Sequence, residues 1–233
     1  MLGGPVKAQP KHGSSERCVR LLPTLNLQAQ IHLLANTLSL VGALLRRRPE
    51  AAEDLLANVT LYLRNQFGPT RPLVSLAEEL QLVLSYLAVE RARLGGRLRL
   101  EVACTRDALA VLVPSLVLQP LVENAVRHGI ALRATGGRVR ISARVTGAFL
   151  NLSVGDDGPG LRRPSATGDR QVRGPSATSR QDGWGLVGAR LRLAALWGSA
   201  ARLRVLSRPG EGTLAAISLP AVFSPLRTDR TRG

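Results

Sequence analysis

Leu118-Gln-Pro-Leu-Val-Glu-Asn-Ala-Val-Arg-His-Gly129, then Val154-Gly-Asp-Asp-Gly-Pro-Gly160 and Gly183-Trp-Gly-Leu186, decide how this chain is read. The first stretch has helical periodicity, the second is a glycine turn at the end of a strand, and the third starts a helix between glycines. Asn is a poor helix former and costs a hydrogen bond when buried, so Asn124 is either a satisfied core residue or a ligand. As a ligand, its carboxamide oxygen suits Mg2+, a hard cation that commonly bridges phosphates. Arg127 and His128 follow three and four residues on. On a regular helix they share the face of Asn124 and can neutralise phosphate charge. Glu123 points elsewhere on the helical wheel, where it could orient a metal-bound water.

The turn reads in two ways. Asp-Gly commonly makes a plain hairpin turn. Alternatively, Asp156 accepts a hydrogen bond from an adenine amino group, and Gly158 and Gly160 let the base come close. Gly183, Gly185 and Leu186 open a helix whose N-terminal amides form a ready phosphate site. Gly210-Glu-Gly-Thr213, read alone, is another hairpin turn. Each signal is modest, but their order and their strand and helix contexts are hard to obtain by chance.

Around these motifs, Arg97 to Ala103, Gly137 to Val145 and Phe149 to Val154 alternate like strands. A helix of about fifteen residues is expected to begin near Pro114, and another to run from Trp184 to Trp197. Ala201 to Ser207 and Gly212 to Leu219 read as closing strands. Mixed strands and helices without strict alternation predict an α/β two-layer sandwich over residues 95–221. Residues 161–182, rich in Pro, Ser, Gly and Arg, lie between two glycine motifs and read as a mobile lid.

Upstream the texture is helical. Leu27, Ile31, Leu34, Leu38, Val41 and Leu45 are spaced by alternating fours and threes, and Ala52, Leu56, Val59 and Leu63 continue that spacing after Pro49. Two helices joined by so short a turn make an antiparallel hairpin, and one hairpin cannot bury both seams. Two copies forming a four-helix bundle, a homodimer, follow as the expectation. Ser75 and Glu78 form a capping box for a third helix, which Gly95-Gly96 ends. Residues 21–94 are thus a helical dimerisation region, with tails at 1–20 and 222–233, and the fold class is α+β. His32 lies on the first helix, and the stripe Gln28, His32, Asn36 makes a polar edge beside the apolar seam. In isolation, a polar residue at a helix seam is the commoner explanation of His32.

Composition narrows the function classes. The net charge is +16, but the basic residues are spread along the chain, and two Trp, two Tyr and three Phe are too few for a stacking surface. Nucleic acid is therefore not expected as a partner. No apolar run approaches the ~20 residues that cross a bilayer, and residues 1–20 lack the apolar core of a secretory signal. Cys18 and Cys104 have neither metal spacing nor a disulfide framework, so a cytoplasmic setting is expected.

Taken together, Leu118 to Gly129 resembles the N box of the Bergerat-fold (GHKL) ATPases, in the form found in LytS-like sensor histidine kinases. Val154 to Gly160 is similar to their G1 box, Gly183 to Leu186 with Arg190, Arg192, Leu193 and Gly198 to their G2 region, and Gly210 to Thr213 to their closing Gly-x-Gly-Thr. Upstream, Leu25-x-x-Gln28-x-x-x-His32-x-Leu34-x-Asn36-x-Leu38 is similar to that group's phosphoacceptor motif, and the third helix, with Tyr86-Leu and Glu90-Arg, also resembles the family.

The resemblance implies a two-component protein histidine kinase using ATP and Mg2+. Asn124 would coordinate Mg2+ with Glu123 beside it, and Asp156 would bind adenine. Gly158, Gly160, Gly183, Gly185, Leu186 and Thr213 would shape the nucleotide pocket with Arg127 and His128. His32 would take the γ-phosphate and pass it to an aspartate of a response-regulator receiver domain. The signal would enter from a sensor outside this chain, such as a separate membrane protein that recruits it. The sequence departs from the family at Ile31-His-Leu-Leu-Ala-Asn36, where Pro-His-Phe-Leu-Phe-Asn is usual, and at Asp157 and Gly188, where Asn is usual. Two other readings stay open: a catalytically degenerate ATP-binding scaffold, and a Ser/Thr kinase of the anti-sigma-factor kind.

Overall fold

The described residues begin with two helices, α1 (Leu27–Leu45) and α2 (Pro49–Phe67), over the ranges the apolar spacing predicts. The computed structural model describes residues 27–67, 71–131, 133–160 and 184–223; the expected tail at 1–20 and the 161–182 segment lie outside them. Pro49 stands at the first position of α2, where its missing N–H costs nothing, and the amides of Arg47 and Arg48 close the α1 end on Leu44 O (2.9 and 2.7 Å).

The α2 seam differs from the predicted one. Ala52, Leu55, Val59 and Tyr62 are buried, whereas Leu56 is exposed. On α1, Val41 is inside but Leu38 and Leu45 remain 52% and 54% exposed. The apolar stripe of α1 is therefore wider than α2 and the next helix, α3 (Leu76–Leu94), cover.

A short strand β1 (Leu73–Ser75) leads into α3 (Leu76–Leu94). The capping box is complete: Glu78 N donates to Ser75 Oγ (3.2 Å) and Ser75 N to Glu78 Oε2 (2.8 Å). Gly95, at φ 63°, ends the helix as expected, since that conformation disfavours any residue with a Cβ. On α3, Val89 joins Val41, Ala52, Leu55 and Val59 in a helical core, while Val83 and Leu87 belong to the larger core behind the sheet.

The second half holds β2 (Leu98–Cys104), one helical turn α4 (Arg106–Leu109), β3 (Leu112–Pro114), α5 (Gln119–Asn124) running on as a π-helix over Ala125–Ile130, β4 (Gly137–Thr146), β5 (Phe149–Asp156), α6 (Trp184–Trp197), β6 (Arg202–Arg208) and β7 (Gly212–Pro220). The main sheet has the order β2-β4-β5-β7-β6, with β2 and β4 parallel and the other pairs antiparallel. Val139, Ile141, Leu150, Leu152, Ile217 and Leu219 point to the buried face, where α5 and α6 lie, while alternate residues face outward. One-sided alternation of this kind is what a two-layer α/β sandwich requires.

The helix expected from Pro114 starts five residues later. β3 instead pairs antiparallel with β1, Leu73 opposite Pro114, a contact that local periodicity could not show. Between β3 and α5, Leu116 adopts φ 58°. At the other end, Val222 and Phe223, read as the start of the tail, still pair with Leu112 and Val111.

Candidate functional site

The site is built where α5, the end of β5 and the β6–β7 turn converge. Its foundation is Glu79 of α3. This carboxylate is only 3% exposed and accepts the amides of Leu116 (2.6 Å) and Leu118 (3.0 Å), the two peptides leading into α5. Burial pushes its pKa up, opposed by these backbone bonds and by Arg192. From α6, Arg192 donates to Leu116 O (3.2 Å), so Leu116, in its left-handed conformation, is gripped from both sides. The entry to α5 is thus fixed by one residue from each neighbouring helix.

Asn124 ends the α-helical part of α5, half-buried, with its Nδ2 buried and without a hydrogen-bond partner among the described residues. From Ala125 the helix widens to π geometry, an arrangement often found at functional sites. That change of pitch alters which side chains share a face. Gln119 Nε2 donates to Glu123 Oε1 (2.6 Å), and Tyr62 of α2 lies within reach of both, 3.3 Å from Gln119 Nε2 and 3.5 Å from Glu123 Oε1. Gln119 and Glu123 thus line the side towards α2. Tyr62 and Tyr86 stack tilted, centroids 5.9 Å apart, and close this side.

Asp156 stands opposite. Its Oδ1 accepts the amide of Gly158 (2.9 Å). Burial raises its pKa, with the Gly158 and Thr213 amides lowering it and Asp157 raising it again. Gly129, in the π-helix, touches this carboxylate directly, since a Cβ there would sit 2.6 Å from Asp156 Cγ. A Cβ on Gly158 would sit 2.4 Å from Gly129 Cα, and one on Gly160, at φ 66°, 2.0 Å from Arg208 O. Gly212, at φ 92°, leaves no room beside Asp156 O (1.9 Å).

These glycines also have a structural reason. Their missing side chains make room for the protein's own backbone, sealing the G1-like turn onto the Asn124 helix and onto the β6–β7 turn. Thr213 contributes its amide to Asp156, and its hydroxyl lies 3.0 Å from Ser207 Oγ. Asp157 is held by the Arg138 amide (2.6 Å), with Arg99 3.8 Å away, so arginine meets the charge added by this departure from the family.

Of the remaining expected residues, Gly183 lies outside the described residues. Gly185 and Leu186 are in the first turn of α6, and His32 is on α1, its side chain outside the described residues. Glu79, Tyr62, Gln119, Gly129 and Arg192 form no part of the sequence reading of the site. A signal existed for Glu79, an acid on the apolar stripe of Leu76 and Val83, which marks a partnered buried carboxylate. Tyr62 continues the Leu55, Val59 spacing of α2.

The residues present fit a nucleotide with its metal. The orphaned Nδ2 of Asn124 is a buried donor that suits an acceptor such as a phosphate oxygen, and its Oδ1 is the atom that suits a cation. Among the described residues no cluster of three or more His, Cys, Asp or Glu could hold a metal ion.

Residues 22–98 match the sequence model of histidine kinases, and residues 112–222 that of the histidine kinase-, DNA gyrase B- and HSP90-like ATPases. The chain belongs to the histidine kinase family. The sensor histidine kinase BtsS of Escherichia coli K12 is 36% identical over 140 residues, covering 60% of this chain and 25% of BtsS. The sensor histidine kinase/phosphatase LytS of Staphylococcus aureus is 32% identical over 185 residues, covering 77% of this chain and 31% of LytS. The chain thus spans about a quarter to a third of the length of these relatives. Among solved structures, full-length ShkA in complex with AMPPNP shares the fold, with a TM-score of 0.51 at 19% identity over 89% of this chain and 47% of that one. In this histidine kinase family member, no helix among the described residues is long and apolar enough to cross a membrane.

Proposed function

We propose that this chain is the transmitter part of a two-component system, an ATP-dependent protein histidine kinase that phosphorylates itself on His32 and passes the group to an aspartate of a response-regulator receiver domain. The observation that carries this reading is the junction of Asn124 and Asp156 across Gly129 and Gly158, in an ATPase-type sandwich joined to a histidine-bearing hairpin. Asp156 would accept the adenine amino group, and Asn124 would offer its carboxamide oxygen to Mg2+. Bound with the triphosphate, Mg2+ would neutralise charge on the phosphoryl oxygens. Arg127 and His128 would add cationic or donor groups, and Glu123, held by Gln119, would orient a metal-bound water. The His32 imidazole nitrogen forms a bond to the γ-phosphorus while the bond from that phosphorus to the β–γ bridging oxygen breaks and ADP leaves. Most of the catalysis is positioning and charge neutralisation.

Leu38 and Leu45, left exposed on α1, support a homodimer in which a second hairpin covers them. A cytoplasmic setting and a sensor outside this chain complete the proposal. The test is incubation with γ-labelled ATP and Mg2+. Acid-labile, alkali-stable label that is absent from His32→Gln is expected. Label persisting in that variant would overturn the His32 assignment, acid-stable label would point to a Ser/Thr kinase, and ATP binding without label to a scaffold.

A further inference from the structure

The helices of the sandwich, and with them Asn124, occupy one face of the sheet. The other face is covered by no element among the described residues, and its chemistry is one-sided. The strand register arranges it in rows that cross four strands. Arg202 of β6 lies level with Ser218 of β7, Asn151 of β5 and Arg144 of β4. Next come Arg204, Ala216, Ser153 and Ser142, then Leu206, Leu214, Gly155 and Arg140. Arg138 and Arg208 extend the two outer lines.

Two exposed arginine lines thus flank a floor of small residues, half-buried apart from the exposed Asn151, on which Ser142 and Ser153 bond to each other (2.8 Å). The lines stand three strand spacings apart, about 14 Å. Leu206 and Leu214, 47% and 39% exposed, add an apolar spot at one end of the floor. The acid on these rows, Glu101, pairs with Arg138 (2.8 Å) and lies 3.7 Å from Arg140, and Glu211 at the β6–β7 turn pairs with Arg208. Arg202 and Arg204 have no ion pair among the described residues.

We infer that this open sheet face is a docking trough for an acidic α-helix of a partner protein. The width decides the shape of the occupant, since a helix with its side chains is about 10–12 Å across and fits between the lines. A strand from Arg202 to Arg208 runs about 20 Å, enough for a helix of roughly thirteen residues. Covering a bare sheet face with a helix is also the ordinary way such a layer is completed. Charge decides the composition. Arginine forks pair bidentately with carboxylates, so glutamates or aspartates on both flanks of the helix meet both lines.

A second copy of this strongly basic chain would face it with like charge, and the segments outside the described residues, such as 161–183 with Arg162, Arg163, Arg170, Arg173 and Arg180 against Asp169 and Asp182, are themselves basic. Because the trough is opposite the Asn124 layer, an occupant leaves the nucleotide site open. The inference therefore stands independently of phosphoryl transfer.

The experiment uses the full chain and a monomeric, alanine-based helical peptide with glutamates along two flanks, compared with an isomer whose glutamates are spread evenly around the helix. Saturable binding is expected, with amide shifts at Ser142, Ser153 and Ala216. The isomer should bind at least five-fold more weakly. Arg202→Glu with Arg204→Glu on one line, and Arg144→Glu on the other, should each weaken binding at least ten-fold with unchanged melting temperature. Equal binding of the two peptides, shifts mapping elsewhere, or unaffected variants would overturn it. So would anionic phosphatidylserine vesicles or a DNA duplex that displaces the peptide and binds more tightly through the same arginines.

Discussion

The hairpin and the nucleotide-type junction are made by opposite uses of the chain. In the hairpin, α1 and α2 meet through a few aliphatic side chains around Val41, Ala52, Leu55 and Val59, and part of the apolar stripe of α1 is left over. At the junction, the segments meet at four glycines, 129, 158, 160 and 212, three of them against backbone and Gly129 against the Asp156 carboxylate. A side-chain seam tolerates exchange of one hydrocarbon for another. A backbone-to-backbone contact tolerates no added atom.

The sharpest way to break the comparison is Gly212→Ala. It combines a positive φ with a 1.9 Å clash against Asp156 O, and should cost about 3–5 kcal/mol in denaturant unfolding. A loss below that of a core Leu→Val exchange in the hairpin would refute the contrast. Glu79→Ala should follow at about 2–4 kcal/mol, because it strands the amides of Leu116 and Leu118 in the core. Glu79→Gln, which can accept one of them, should fall between.

On the hairpin side, Leu38→Glu with Leu45→Glu should leave the monomer's unfolding midpoint nearly unchanged while converting a dimer to a monomer in sedimentation. A large fall in the midpoint would show that these leucines serve the chain's own core. Titration separates Asp156 from its surroundings. Its folded pKa is raised, so the ionised form costs stability at neutral pH and that cost fades as pH falls through the raised value. If Asp156 binds adenine as proposed, ATP affinity should decline over the same window. Asp156→Asn should therefore melt higher at pH 7 than the parent, bind ATP more weakly and lose the acidic decline. The mildest change is Gly147→Ala, which has φ 58° but no atom within 4 Å, and should cost only about 1–2 kcal/mol. Both glycines share a positive φ, and the backbone clash alone separates Gly212 from Gly147.

Much of this protein was legible along the chain. The helices at Leu27–Leu45, Pro49–Phe67 and Trp184–Trp197, the capping box at Ser75 and the alternating strands all come from local periodicity and caps, which depend on neighbours a few residues away. Asn124 and Asp156 stood out for the same kind of reason, as a polar residue within a helix and an acid at a strand end. Tertiary structure alone decided the pairing of β1 with β3, the left-handed Leu116, the late start and π pitch of α5, and the turn of Glu123 towards Tyr62. Each depends on a partner far away in sequence, such as Glu79 for Leu116 or Gly129 for Asp156. The glycines show the division best. Gly158 and Gly160 were singled out along the chain, but what lies across the gap from them depends on the fold, and only the folded chain supplies that neighbour.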